Sequence, residues 1–372
     1  MAVHMALQDI GEVIRYQAAI RAEKVALTFE GRETTYGQLD RRATRVANGL
    51  RAISTASQTR VALVAKNSDF FYEVLFGAAK ARDVVVAVNW RLAPAEIVYI
   101  INDAGAEVLF VGEESVPLIA HIRPELHTVQ TVIALGGEGL EWDSYMAWCH
   151  RQDSADPLLA SSGGDVILQL YTSGTTGHPK GAQITHGNLF AALQAAREWY
   201  PCTVEDVNLA CMPQFHIGGS LMSLIPLYVG ARDVIAREPV AGEILHLIPT
   251  ERVTLAFFVP AFMLSLLQTP GCQEVDFSSL KRVCYGASPI PLDLLRDAMA
   301  TFRCEFAHLY GLTETTGVVT VLPPEDHDPA GGPRMRSCGK ALSNAEIKVV
   351  DSLGAQLPPD RSEKLWCAPD KS

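Results

Sequence analysis

The chain has 372 residues, 48% of them hydrophobic and 20% charged, and a formal net charge of −11. That length supports a large core and about two to three domains, and the composition is that of a soluble globular protein. The acidic excess excludes nucleic-acid binding through bulk charge, while a local basic pocket for an anionic nucleotide stays open.

Residues 1–10 lack a basic segment followed by an apolar one, so no secretory leader is expected. Eight cysteines are scattered without a C-x-x-C pair. They read as buried free thiols of a cytoplasmic protein, and a zinc site is not expected. Arg60 to Ala65 reads as a strand, Ser68 to Ala81 as a helix and Val84 to Val88 as a second strand. A helix over Pro94 to Ala104 and a strand over Glu107 to Val111 follow, with Pro94 where a first helical turn tolerates it. The Ser-, Asp-, Gly- and Pro-rich stretch from Gln152 to Gly164 reads as a linker.

The alternation then resumes. Val166 to Tyr171 reads as a strand, and a helix is expected from about His186. Further on come a strand at Val253 to Val259, a helix at Ala261 to Gln268, a strand at Arg282 to Tyr285, a helix at Pro291 to Thr301 and a strand at Glu305 to His308. Pro260 interrupts the longest apolar stretch, Val253 to Leu267, which is too short to span a bilayer and leaves only peripheral membrane contact open. After Leu322 the texture changes to Pro/Gly breaks, and Ala345 to Val350 and Glu363 to Cys367 read as strands of a smaller β unit. The expected fold class is therefore α/β: two packed βαβ-type subdomains with mostly parallel sheets (1–160 and 161–325), then the start of a small β-barrel-like subdomain (326–372).

Residues 171 to 181 (YTSGTTGHPKG) pack four Ser/Thr hydroxyls, three glycines and one lysine into one short loop. Small residues let backbone amides approach a phosphate, hydroxyls donate to its oxygens and Lys180 brings charge. The helix expected after it would add positive potential at its N-terminus. A flexible surface loop has a similar composition, and the spacing is not that of a Walker A loop. The stretch resembles the phosphate-binding signature of the acyl-adenylate-forming enzymes, which include acyl-CoA synthetases, firefly luciferase and peptide-synthetase adenylation domains. The segment RETTYGQLD at Arg32 to Asp40, with a helix through Leu50, resembles the opening of these enzymes too. The resemblance runs from about Ile10 to the C-terminus, with a departure at Arg82-Asp83, where relatives more often have a glycine-rich turn.

By that resemblance, Thr172, Ser173, Gly174, Thr175, Thr176, Gly177 and Lys180 hold the ATP phosphates. A second motif, YGLTETTG from Tyr310 to Gly317, follows the strand expected to end at about His308. An aromatic face can stack on a purine, and a carboxylate can hold Mg²⁺. A core tyrosine followed by a capped turn would read the same way. The resemblance gives adenine stacking to Tyr310, an α-phosphate contact to Thr313 and Mg²⁺ to Glu314, with His308, Leu309 and Gly311 in the same nucleotide-binding stretch. Gly286, Ala287 and Ser288 form either an ordinary strand-to-helix turn or, as in the family, a border of the adenine and acyl sites.

His216, in the segment PQFHIGG from Pro213 to Gly219, is the residue that bears on substrate. A histidine beside phenylalanine often does no more than pack. In acyl-CoA synthetases the matching histidine lies beside the substrate carboxylate, whereas amino-acid-activating relatives carry Phe-Asp, the aspartate pairing an ammonium. Burying an ammonium without that anion would be costly, so the acid is expected to lack an α-amino group. The resemblance implies an ATP-dependent acid–thiol ligase with Lys180, His216, Thr313 and Glu314 as catalytic residues. ATP, Mg²⁺ and coenzyme A would be its cofactors and co-substrates, and a fatty acid, or else an aryl acid, its substrate. Family members carry a further C-terminal lid domain with a Thr-Gly-Asp segment and a lysine used in adenylation; neither falls within these residues. A nucleotide- or acyl-binding module without turnover is the expectation that competes.

Overall fold

A computed structural model describes residues 7–136, 141–173, 177–351, 353–357 and 365–367. The chain opens with helix α1 (Ile10–Arg21), the hairpin β1 (Val25–Phe29) and β2 (Arg32–Thr35), and helix α2 (Tyr36–Ile53). Thr35 starts α2 with a reciprocal cap: its hydroxyl accepts from the Gln38 amide and the Gln38 side chain accepts from the Thr35 amide. The run β3 (Arg60–Val64), α3 (Asp69–Ala81), β4 (Val84–Val88), α4 (Pro94–Ala104), β5 (Ala106–Val111), α5 (Val116–Ile122), β6 (Thr131–Ala134), β7 (Asp143–Ser144) and α6 (Tyr145–His150) follows. The elements from β3 to β5 lie within a residue or two of where apolar periodicity puts them. Arg82 ends α3 in the left-handed conformation (φ 64°), a backbone state that glycine adopts most readily.

After residue 164 come β8 (Val166–Thr172), β9 (Lys180–Thr185), α7 (His186–Ala195), β10 (Val207–Ala210), α8 (Ile217–Val229), β11 (Arg232–Ile235), α9 (Ala241–Thr250) and β12 (Leu255–Phe258). Helix α10 (Pro260–Gln268), β13 (Arg282–Gly286), α11 (Leu292–Phe302), β14 (Glu305–Leu312), β15 (Gly317–Leu322) and β16 (Lys340–Ala341) complete the second block. Strands β17 (Ile347–Val349) and β18 (Leu365–Cys367) pair antiparallel as a separate small sheet, inside the stretches read as a β unit. Among the described residues no helix is long and apolar enough to cross a membrane.

Two large sheets result. One has seven strands in the order β7-β6-β5-β3-β4-β8-β9, parallel except for β9. The other has nine, in the order β16-β15-β14-β13-β12-β10-β11-β1-β2, parallel from β14 to β1 with antiparallel strands at both ends. Sheet membership crosses the boundary drawn near residue 160. The early hairpin β1/β2 belongs to the nine-stranded sheet, through pairs such as Thr28 with Val234, and β8/β9 belongs to the seven-stranded one, through Val86 with Gln169. The reason is pairing between distant segments, which the composition of the intervening linker does not encode.

Both faces of the seven-stranded sheet are covered. In β3, Val61 and Leu63 enter the main core, while Ala62 and Val64 enter a second cluster under Ile97, Ile100 and Ile101 of α4. Helix α3 carries residues of the main core, and its Tyr72 hydroxyl donates to Asp233 of β11 at 2.8 Å.

Candidate active site

Parallel strands deliver their carboxyl ends, and the loops that follow them, to one side of each sheet, where α/β folds bind ligands. Strand β8 ends there at Thr172. The chain then turns back as an antiparallel partner, with Tyr171 opposite Gly181 and Thr172 opposite Lys180. The glycine-rich stretch is thus a hairpin loop. Ser173, Gly177 and Lys180 are exposed, Gly177 with φ +104°. Gly174, Thr175 and Thr176 lie outside the described residues. The helix expected to aim its N-terminus at this loop does not do so. Six residues of β9, roughly 20 Å of strand, separate loop from helix, and Thr185 already caps the first turn of α7.

The second motif is also placed differently from its sequence reading. Strand β14 continues past His308 to Leu312, so Tyr310 and Gly311 are strand residues. They pair with β15, Tyr310 opposite Thr320 and Gly311 opposite Val318, with a bulge between them. A Cβ on Gly311 would lie 1.7 Å from the Gly317 carbonyl oxygen, so no other residue fits this crossing. Thr313–Thr315 form one 3-10 turn, held by the Thr315 hydroxyl, which accepts from the Leu312 amide and donates to the Gly317 carbonyl. The turn presents the Glu314 carboxylate to solvent, where Oε1 accepts a hydrogen bond from Thr172 Oγ1 at 3.0 Å. Two motifs far apart in the chain therefore meet at one point.

The other expected residues divide between the site and its support. Gly286 ends β13 beside Leu309, and Ala287 (φ 68°) and Ser288 continue as an exposed turn at the same sheet end. Leu309 is buried in the core, so it offers the cleft no side chain. His308 stacks on Tyr285 (4.7 Å, 7° between planes) and its Nδ1 donates to the Ser337 carbonyl. His327 donates from Nδ1 to the Pro323 carbonyl and accepts from the Tyr285 hydroxyl on Nε2. These two histidines fasten residues 323–338 over the sheet.

His216 caps α8 and its ring lies 4.6 Å from that of Phe215. Solvent reaches the imidazole, yet the protein around it lowers its pKa, and the positive charge of Arg91 lowers it further. The two glycines after Ile217 have different uses. A Cβ on Gly219 would strike the Pro213 carbonyl at 2.0 Å, so the space beside Gly219 is filled by backbone. A Cβ on Gly218 would sit 3.4 Å from the Phe257 ring, which walls that side with an apolar surface.

Residues 14–368 match the AMP-binding enzyme family. The chain belongs to that family. It is 36% identical to the fatty acid–[acyl-carrier-protein] ligase ScoC of Streptomyces coeruleorubidus, over 99% of this chain and 72% of that protein. Indoleacetate–CoA ligase of Aromatoleum aromaticum is 30% identical, over 96% and 69%. The crystal structure of the N-terminal domain of FACL13 from Mycobacterium tuberculosis superposes with a TM-score of 0.86 at 28% identity, covering 94% of this chain and 87% of that one.

Among the described residues of this AMP-binding enzyme, no three His, Cys, Asp or Glu side chains gather into a metal cage. Glu314 fits Mg²⁺ on other terms. It is an exposed carboxylate with a hydroxyl beside it, and phosphate oxygens and water can supply the remaining ligands that a hard, reluctantly dehydrated cation takes. Sequence reasoning missed Arg91, which follows β4 at the same sheet end and whose charge acts on His216. The one available signal was a Trp-Arg pair directly after a parallel strand.

Proposed function

We propose that this chain activates a carboxylic acid by adenylation, as the large domain of an acid–thiol ligase. The carboxylate oxygen attacks the α-phosphorus of ATP, the bond from that phosphorus to the β-bridging oxygen breaks, and pyrophosphate leaves with the electron pair. The sulfur of a thiol then attacks the acyl carbon and AMP departs, with the thiol proton passing to solvent. Such chemistry is mostly positioning and charge neutralisation. Lys180 and the hydroxyls of the hairpin loop hold the β- and γ-phosphates. Tyr310 stacks on adenine, Thr313 meets the α-phosphate, and Glu314 would hold Mg²⁺, which neutralises phosphate charge when bound.

The observation that carries this reading is the hydrogen bond between Thr172 and Glu314, because the hydroxyl proposed for phosphate and the carboxylate proposed for the metal are in contact. A histidine rather than an aspartate at position 216 favours an acid without an α-amino group, and the Phe257 wall beside Gly218 favours an apolar one. A fatty acid comes first, in keeping with the name of the ScoC relative; an aryl acid comes second, in keeping with the indoleacetate ligase. Coenzyme A is the proposed acceptor. The carrier-protein ligase among the relatives favours a second acceptor of the same chemistry, the pantetheine thiol of a carrier protein. The buried thiols Cys211 and Cys284 suit a reducing compartment, and we assign the protein to the cytoplasm.

Acid-dependent ATP–pyrophosphate exchange tests the reading, across fatty, aryl and amino acids, with Lys180→Ala as control. Exchange with a fatty or aryl acid that is lost in the control supports it. Exchange with amino acids alone overturns the substrate class. Nucleotide binding without any exchange would instead favour a binding module. Thioester formation, compared between coenzyme A and a pantetheinylated carrier protein, then separates the two acceptors.

A further inference from the structure

Helix α4 is bolted to the seven-stranded sheet. Ile97, Ile100 and Ile101 are fully buried against Val64, Val86, Val88 and Val111. On the same helix Tyr99 and Asp103, four residues apart, stand one turn above the other. Both touch the hairpin that holds the phosphate-binding motif. The Tyr171 hydroxyl donates to Asp103 Oδ2 at 2.6 Å and accepts from Gln169 Nε2 at 3.2 Å. The Tyr99 ring stacks on His178 (4.9 Å, 25° between planes), and its hydroxyl makes a weak bond to the Pro179 carbonyl at 3.5 Å. The helix thus grips the strand that enters the loop and the two residues that leave it.

Gly181 makes the grip possible. It sits opposite Tyr171, and a Cβ there would lie 2.5 Å from Gln169 Nε2 and 3.0 Å from Tyr171 Cζ. With no side chain at 181, the Tyr171 ring lies across β9 and reaches α4. Lys180 is the neighbour of both Gly181 and Pro179, so whatever fixes those two residues fixes the backbone that carries its ammonium.

We propose that Tyr99 and Asp103 of α4 are positioning residues that set the phosphate-binding hairpin, and Lys180 in particular, for the β- and γ-phosphates of ATP. This rests on reading residues 171–181 as the phosphate loop. A hairpin free to rock on β8 would present Lys180 in many places, and ordering it would then weaken every nucleotide that needs it. The grip orders it beforehand. Its effect should fall on nucleotides with a β-phosphate and spare AMP, whose one phosphate does not reach Lys180.

The test is calorimetric titration of the whole chain with Mg²⁺-ATP and with AMP. The chains compared are wild type, Tyr99→Leu, Asp103→Ala, Tyr99→Phe and Lys180→Ala. Tyr99→Leu and Asp103→Ala, which removes the acceptor of the Tyr171 hydroxyl, are expected to weaken ATP by about five- to tenfold, the effect of losing one such contact, and to leave AMP within about twofold. Tyr99→Phe keeps the ring and should restore binding of both nucleotides close to wild type. Equal weakening of ATP and AMP by Tyr99→Leu, or no change in either, would overturn the proposal, provided Lys180→Ala still weakens ATP selectively. If Lys180→Ala itself fails to separate ATP from AMP, the reading of the loop falls, and the proposal with it. Unfolding midpoints of the same proteins tell a general loss of structure from a local one, and Asp103→Ala, a truncation at an exposed site, keeps the question answerable if Tyr99→Leu does not fold.

Discussion

Thr172 Oγ1 and Glu314 Oε1 are joined by a 3.0 Å hydrogen bond across 142 positions of sequence. One residue ends a strand of the seven-stranded sheet, and the other sits on the turn after a strand of the nine-stranded sheet. The contact therefore registers the two sheets against each other at the place where the triphosphate is proposed to lie. Glu314→Gln keeps the shape and removes the charge. Acid-dependent pyrophosphate exchange should drop on the order of 10²-fold and need more Mg²⁺ to saturate. Thr172→Val should cost about tenfold, and the double variant less than the product of the two, because the residues share one interaction. An unaltered Mg²⁺ dependence in Glu314→Gln would remove this carboxylate from metal binding.

His216 is held neutral at neutral pH, first by the desolvating protein around its solvent-reached ring and then by the charge of Arg91. A neutral imidazole can donate one hydrogen bond to a carboxylate without the cost of a buried ion. Arg91→Gln removes the repulsive charge, so the pKa of His216 rises and the acidic limb of the kcat/KM profile for the acid moves to higher pH. His216→Asp places an anion where the substrate carboxylate is proposed to sit, and KM for the acid should rise about tenfold or more. An acidic limb that stays in place in Arg91→Gln would mean that another group titrates.

Much of this fold could be read from apolar periodicity, and the parts that could not share a cause. Strands β3 to β5 and helices α3 and α4 are dense apolar segments between clear stops, so local pattern was enough. Strand β9 (KGAQIT) is a short edge with one buried residue and little apolar alternation, so its sequence reads as a loop running into a helix. The last third of β14 exists because β15 pairs with it, which Tyr310 and Gly311 do not announce by themselves. Lys180, Glu314 and His216 were legible as candidates, because the motifs that hold them resemble those of a known family. The contact between Thr172 and Glu314, the field of Arg91 and the grip of Tyr99 were not, since each depends on what the fold brings alongside.

Asp233 lies fully buried in β11 with two neutral partners, accepting from Asn208 Nδ2 and from the Tyr72 hydroxyl. Burial pushes its carboxyl up to about 8, against the pull of those two hydrogen bonds. The folded state thus holds a proton that the unfolded chain releases near the ordinary carboxylate value. The stabilisation from that proton is complete below the unfolded pKa and is lost as pH rises through about 8. Asp233→Asn has no proton to lose. Urea midpoints measured at pH 6 and pH 9 should fall further for the wild type than for Asp233→Asn. Parallel declines would show that the carboxyl is already ionised in the fold.

Lys80 is fully buried, and its charge is fully paired. Its ammonium donates to Asp40 and Asp156 at 2.6 Å each and to the Thr44 hydroxyl at 2.8 Å, while Arg15 grips Asp156 with two further bonds at 2.9 Å. Helices α2 and α3 and the segment between the two sheets' chain blocks are tied at this one nitrogen, and α1 joins them through Arg15 on Asp156. Removing it leaves two carboxylates facing each other around a buried gap, a loss of about 3–5 kcal/mol for Lys80→Ala. The pH response should change as well. Burial raises the Asp156 carboxyl, but the hydrogen bonds of Arg15 and then Lys80 outweigh it and hold the group well below the usual carboxylate range. A carboxyl depressed in this way stabilises the fold above its unfolded pKa, and the contribution fades as pH falls through the folded one. Without Lys80 the depression is smaller, so acid unfolding should begin at a higher pH in Lys80→Ala than in the wild type. Unfolding followed by far-UV circular dichroism from pH 7 down to pH 2 checks this, and coincident curves would mean that Arg15 alone holds Asp156.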